Sequence, residues 1–253
     1  MVLRNAPGVD RVTRHHAAQP ESPSARASLS RRHLLRTTIA GAAAGVLTGG
    51  GIEFAAPRPA VAQSKLSPDA ALQDLMDGNQ RFVEKRLRFY EEDLAILKQN
   101  TAEKQEPFAS VLSCADSRVP VEIMFDQSIG HVFVNRVAGN IATSEIIASI
   151  EYGVAVLGTR VLMVLGHANC GAVKASIAAK AVPGQISGLY RYIRPAVDQA
   201  NGDFEATIKA NAKIQAKLLS DSSPVVASAV KDAKLKVVAA YYDLANGKVA
   251  LLD

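Results

Sequence analysis

Each of the two cysteines in the chain lies beside other residues capable of chemistry. Cys114 opens the run Cys114-Ala115-Asp116-Ser117-Arg118, and Cys170 ends the run His167-Ala168-Asn169-Cys170, with Gly171 after it. Two thiolates and one imidazole form a three-ligand set suited to zinc, with a fourth tetrahedral position left for water or a competing carboxylate. Asp116 and Arg118 lie within the first of these runs. Other readings exist for each piece alone. A pair of cysteines invites a disulfide, a lone cysteine is often a small buried hydrophobe, and an Asp beside an Arg is by default a surface pair. The joint pattern is what favours a catalytic metal site.

The elements around these runs place them where ligands belong. Phe108–Ser113, His131–Asn135 and Val161–Gly166 read as short apolar strands, separated by longer helical stretches. That alternation indicates a parallel sheet with crossover helices. Cys114 and Cys170 each follow a predicted strand, and open parallel sheets hold their ligands at the strands' C-terminal ends. Ser144–Leu157 carries Ile146, Ile147, Ile150, Val154 and Leu157 on one stripe and reads as a helix. Further helices are predicted over Ala172–Ala181, Ile186–Ala200 and Asp203–Leu219. Leu235–Tyr242 and Lys248–Leu252 read as strands joined at Asn246-Gly247, a hairpin signal. Ser67-Pro68-Asp69 combines an N-cap, a proline at the first helical position and an acid in the first turn. It starts a helical N-terminal arm with Leu72, Leu75, Met76, Asn79, Phe82 and Val83 at helical spacing, and a second amphipathic stretch covers Glu91–Gln99. The expectation is one α/β domain: a mostly parallel central sheet flanked by helices, with a helical N-terminal arm and a C-terminal strand hairpin.

The paired runs, Cys-x-Asp-x-Arg followed by His-x-x-Cys-Gly, resemble the signature of the beta-class carbonic anhydrases. The resemblance spans about Gln105 to Val173 and, more loosely, the C-terminal hairpin. It implies that Cys114, His167 and Cys170 hold one zinc ion per subunit, with Asp116 and Arg118 as the catalytic dyad. It implies reversible hydration of carbon dioxide to bicarbonate and a proton by zinc-bound hydroxide. Asp116 would itself join the metal only in a closed resting state. Gln105 corresponds to the family's substrate-positioning glutamine, and Phe133 and Tyr152 to aromatic residues lining its narrow apolar pocket. Those matches, and the absence of Trp from the chain, point to the plant-like subtype rather than the one with a bicarbonate-regulated resting state. Ala115 departs from the family, which more often has Ser or Gly there, but it keeps the side chain small. His131 matches no family ligand and reads as a partly exposed polar residue rather than a proton shuttle.

The resemblance also implies a homodimer or higher homo-oligomer, with N-terminal helices packed on a partner and the active site near the shared interface. Two alternatives remain at this level: hydrolysis of carbon disulfide or carbonyl sulfide on the same scaffold, and a non-catalytic zinc or scaffold protein. Intact Asp116 and Arg118 count against the second, since a structural zinc needs neither.

Composition bounds the rest. With 253 residues, 48% of them hydrophobic, the chain can fill a core, which excludes disorder of the whole. The net charge of +5 first suggests a nucleic-acid or membrane-surface protein. Of the 29 Lys+Arg and 24 Asp+Glu, however, 8 and 3 lie in residues 1–62, so residues 63–253 carry 21 of each. The basic excess belongs to a leader. There, Ser30-Arg31-Arg32-His33-Leu34-Leu35-Arg36 precedes the apolar run Thr37–Ala56, and Ala60-Val61-Ala62 fits a small-residue cleavage site. The leader resembles a twin-arginine export signal, and its Gly-rich run is too weakly apolar for a membrane span. Cleavage before Gln63 would divide the chain into a signal over 1–62 and a catalytic domain over 63–253. The mature enzyme is then expected in the periplasm or an equivalent exported space (thylakoid lumen or extracellular), without stable membrane insertion and without nucleic acid.

Overall fold

The computed structural model describes residues 64–88 and 104–253. The leader and the Glu91–Gln99 stretch lie outside the described residues. Five strands form one sheet in the order β2-β1-β3-β4-β5. These are β1 (Ala109–Ser113), β2 (Val132–Arg136), β3 (Val161–His167), β4 (Lys236–Tyr242) and β5 (Val249–Leu252). The first four are parallel, and β5 alone runs antiparallel, to β4. The helices are α1 (Pro68–Val83), α2 (Val121–Met124), α3 (Ser144–Ala155), α4 (Gly171–Ala178), α5 (Tyr190–Gln199), α6 (Phe204–Ser222) and α7 (Pro224–Lys231). The expected α/β architecture, with its mostly parallel sheet and C-terminal antiparallel pair, is what the chain forms.

Every residue of β1 and β3 is buried, because helices cover both faces of the sheet. The pleat sends alternate side chains to opposite sides. Val111, Met163 and Leu165 pack with Ala71, Leu72 and Leu75 of α1 and with Met124 and Phe125 at the end of α2. Leu112, Leu162 and Val164 pack with Ile150 and Val154 of α3, Ala212, Ala216 and Leu219 of α6, and Val226 of α7. The edge strand β2 is only half-buried over Val132–Val134.

Helix α1 begins where the sequence places it, with the Ser67 hydroxyl accepting from the Ala70 N–H. Its apolar stripe is buried against its own chain's sheet. Asn79, also on α1, reaches across to the chain's far end. Its amide donates to the carbonyls of Met124 and Gly247 at 3.0 and 2.9 Å, and its oxygen accepts from the Val249 N–H at 2.8 Å. One position on α1 tolerates no side chain at all. A Cβ at Gly78 would sit 1.7 Å from the Phe125 carbonyl oxygen. Backbone cannot yield as a side chain would, so Gly78→Ala is expected to push α1 off α2. The predicted loss is about 1–3 kcal/mol or more, read as a lower midpoint in chemical denaturation.

Four elements differ from the sequence expectation. The stretch 186–200 is a 3₁₀ turn over Ile186–Leu189 followed by α5, not one helix. The short α2 and the whole of α7 fall in segments where the sequence reading had no element. The hairpin is closed by a longer loop than a two-residue turn. Asp243 N–H donates to Lys248 O, and Gly247, at φ +77°, completes the loop between them.

Candidate metal centre

The chain leaves β1 for β2 on one side and returns to β3 on the other, so the crevice between the ends of β1 and β3 is the point where strand order reverses. Open parallel sheets bind ligands at such a point. Cys114 follows β1 directly, His167 is the last residue of β3, and Cys170 stands at the N-cap of α4. In-register pairing of Ser113 with Leu165 brings the two strand ends level. The tight bend after β3 is made by Asn169, at φ +55°. It returns Cys170 toward the sheet. Ligand atoms of Cys114, His167 and Cys170 consequently lie within 4.8 Å of one another, all three residues buried.

The donor set fits a zinc ion on the chain's own geometry. The two sulfurs are 4.0 Å apart and unbonded. A disulfide requires about 2.05 Å, whereas two thiolates on one tetrahedral zinc with bonds of about 2.3 Å stand roughly 3.8 Å apart. The disulfide alternative is thereby removed. The imidazole supplies independent support. His167 Nδ1–H donates to its neighbour's carbonyl, Ala168 O, at 2.8 Å, which fixes the tautomer and leaves the Nε2 lone pair toward the cluster. That Nε2 is completely buried and has no hydrogen-bond partner. A buried polar atom so placed needs a ligand.

The charges agree. The Cys170 thiol donates to Cys114 Sγ, and this bond, with the Gly139 N–H at 3.3 Å, lowers the Cys114 thiol from its ordinary range despite its burial. The same bond, burial and the adjacent negative charge push Cys170 up. A bound zinc would be held by both sulfurs as thiolates.

Beside the cluster, Arg118 grips Asp116 with both arms of its guanidinium. Nε donates to Oδ1 at 2.9 Å and a terminal nitrogen to Oδ2 at 2.8 Å, while the Arg118 backbone N–H adds a third bond to Oδ1 at 3.0 Å. These bonds, led by the side-chain pair, hold the Asp116 carboxyl well below the usual carboxylate range. Asp116 Oδ2 lies 3.9 Å from His167 Nε2, so the ionised carboxylate stands at the rim of the metal position. Arg118 also reaches the Asn169 carbonyl at 3.3 Å, tying the first run to the second.

Arg136 was not picked out by the sequence. At the end of β2 it donates to the carbonyls of Cys114 and Asp116, at 3.1 and 2.6 Å, and so clamps the backbone on both sides of Ala115. Its register opposite Ser113 is the feature that brings it there, and no local motif marks it. Arg136→Ala is expected to weaken zinc retention by about tenfold or more, the usual cost of losing a residue that orients a ligand. Chelator competition would measure this.

The other residues singled out from the sequence lie elsewhere in the chain. Phe133 and Tyr152 meet, ring centroids 6.1 Å apart. Phe133 pairs with Ser110, four residues before Cys114, which is about 13 Å along the strand from the metal end. Tyr152 is half exposed on α3, and Gln105 is exposed ahead of β1, at the opposite end of the sheet from the cluster. His131 is half-buried just before β2, also at that far end, with its ring against Phe108.

The family model described as carbonic anhydrase matches residues 109–249, and carbonic anhydrase 2 of Mycobacterium tuberculosis is 33% identical over 195 residues, covering 74% of this chain and 94% of that one. The chain belongs to the beta-class carbonic anhydrases. A solved carbonic anhydrase of this class from Aspergillus fumigatus, 25% identical, superposes with a TM-score of 0.59 over 72% of this chain and 90% of its own. A structure described as a tetrameric beta-carbonic anhydrase, from Sordaria macrospora, shares the fold at 21% identity, with a TM-score of 0.58 over 72% of this chain and 96% of its own. As a carbonic anhydrase the chain uses zinc, and the cluster of Cys114, His167 and Cys170 is the group that could hold it.

Proposed function

We infer that this protein catalyses the zinc-dependent, reversible hydration of carbon dioxide, and that Cys114, His167 and Cys170 are the zinc ligands. The single observation that carries this is the buried Cys-His-Cys cluster with an ionised, arginine-held carboxylate at its rim. Zinc, when bound, supplies the Lewis acidity that makes hydroxide available near neutral pH. Asp116 Oδ2 is the acceptor that orients the attacking oxygen through its proton. Arg118 fixes the plane of that carboxylate and keeps it from turning onto the metal. Metal analysis of the full chain together with stopped-flow CO2 hydration tests the reading. Stoichiometric zinc with hydration at the uncatalysed rate would overturn it in favour of a non-catalytic zinc protein.

Gln105, Phe133 and Tyr152 are proposed as the substrate-binding residues of a plant-like site. Their distance along the sheet from their own chain's cluster is accommodated if they line the site of a second copy. The half-buried apolar edge strand β2 and the exposed Tyr152 favour such pairing, and a homo-oligomer is in keeping with the tetramer described for the Sordaria protein. For location, we propose export by a twin-arginine-type signal over 1–62. The leader's charge and order of segments support it. No helix among the described residues is long and apolar enough to cross a membrane. Mass analysis of the protein from its host would give an N-terminus at Gln63; an intact Met1 would sink this reading.

A further inference from the structure

The buried face of α6 carries an anomaly. Among Ile208, Ala212, Ala216 and Leu219 it places two amides one turn apart, Asn211 and Gln215, with relative exposures of 0% and 1%. Burying amides is unfavourable unless their bonds are made, and here they go to one place. Asn211 Nδ2 donates to the Gly139 carbonyl at 2.9 Å. Gln215 Oε1 accepts from the Ala142 N–H at 2.9 Å, and its amide donates to Asn211 Oδ1 at 3.3 Å and to Tyr192 O at 3.1 Å. The two side chains therefore grip the loop after β2 at both ends of 139–142.

A hydrogen bond runs from that loop to the metal centre, from the Gly139 N–H to Cys114 Sγ at 3.3 Å. Gly139 is confined from the other sides as well. Its φ is +80°, and a Cβ would come within 2.7 Å of Ile193 Cδ1 and 3.2 Å of Ala172 Cβ. An N–H donated to a thiolate withdraws charge from the sulfur and so reduces what the sulfur gives to a metal. A site with two thiolates needs that correction if its metal is to stay a strong Lewis acid.

We propose that Asn211 and Gln215 are positioning residues for the metal centre: they lock the 139–142 loop so that the Gly139 N–H stays on the Cys114 sulfur and tempers its donation. This rests on the ligand assignment above. The test is cobalt(II) substitution of the full-length protein and of Asn211→Ala and Asn211→Asp. The second variant keeps the side-chain volume and replaces the donor facing Gly139 O with an acceptor. Ala216→Gly, on the same buried helix face, serves as a control for loss of stability. The sulfur-to-cobalt charge-transfer bands are expected to move to lower energy in both Asn211 variants and not in the control. Bands that coincide with those of the unaltered protein in whichever Asn211 variant folds would overturn the proposal, whatever happens to activity. Failure of the unaltered protein to give thiolate–cobalt bands would overturn the ligand assignment and this inference together.

Discussion

Cys170→Ser is expected to strip the protein of zinc and bring CO2 hydration down to the uncatalysed rate. The substitution is nearly isosteric at a residue only 1% exposed, so packing survives and the effect reports the metal. A serine hydroxyl is not deprotonated at neutral pH and does not replace a thiolate, leaving Cys114 and His167 as an incomplete pair. Without the metal, water would no longer be acidified toward neutral pH, and hydroxide would no longer be available as the nucleophile. Stability falls too, because the metal binds only the folded chain; a ligand at a thousand times its Kd contributes about 4 kcal/mol. The measurements are zinc per subunit, stopped-flow hydration and thermal midpoint, the last with and without added zinc. A variant that kept full zinc and appreciable hydration would show that Cys170 is not a ligand.

The second large effect separates the rim from the metal. Arg118→Lys retains the positive charge but loses the fork that meets both oxygens of Asp116, at 2.9 and 2.8 Å. A point cation cannot fix the carboxylate plane, and misplacing a catalytic group by about 1 Å costs about 10²-fold. The expected result is normal zinc content and an unchanged thermal midpoint, since the Arg118 side chain is 52% exposed and exposed pairs contribute little to stability. Hydration should fall by about 100-fold or more. Near-normal hydration in this variant would refute the holding role.

What the sequence discloses follows from how local the signal is. The strands β1 and β3 are legible because burial on both faces makes them continuous apolar runs. The start of α1 is legible from Ser67-Pro68 alone. The same logic extends to Ser223-Pro224, where the Ser223 hydroxyl caps α7, although the sequence reading stops at Leu219. That helix is eight residues long, and its cap was there to be read. The four-residue α2 has no such marker.

At the metal centre the same division holds. Cys114, His167 and Cys170 are recognisable because metal ligation demands particular residue types at particular spacings. Arg136, Asn211 and Gln215 contribute through backbone contacts across the sheet and from α6. Their roles depend on register and helix packing, which no short stretch of sequence contains. Gln105, Phe133 and Tyr152 show the converse case: a motif match names them, but one chain's fold does not bring them to its own cluster.

Asn79 gives the fold an order in time. Its bonds to Gly247 and Val249 span 168 and 170 residues, so the first described helix completes its contacts only with the chain's last strand. Closing a loop of that length costs about 4–5 kcal/mol of chain entropy. A nascent chain whose β5 segment is still inside the ribosome has none of that return. Helix α1 and strand β5 are therefore joined only once β5 has been made, and Asn79 ties the two into one cooperative unit.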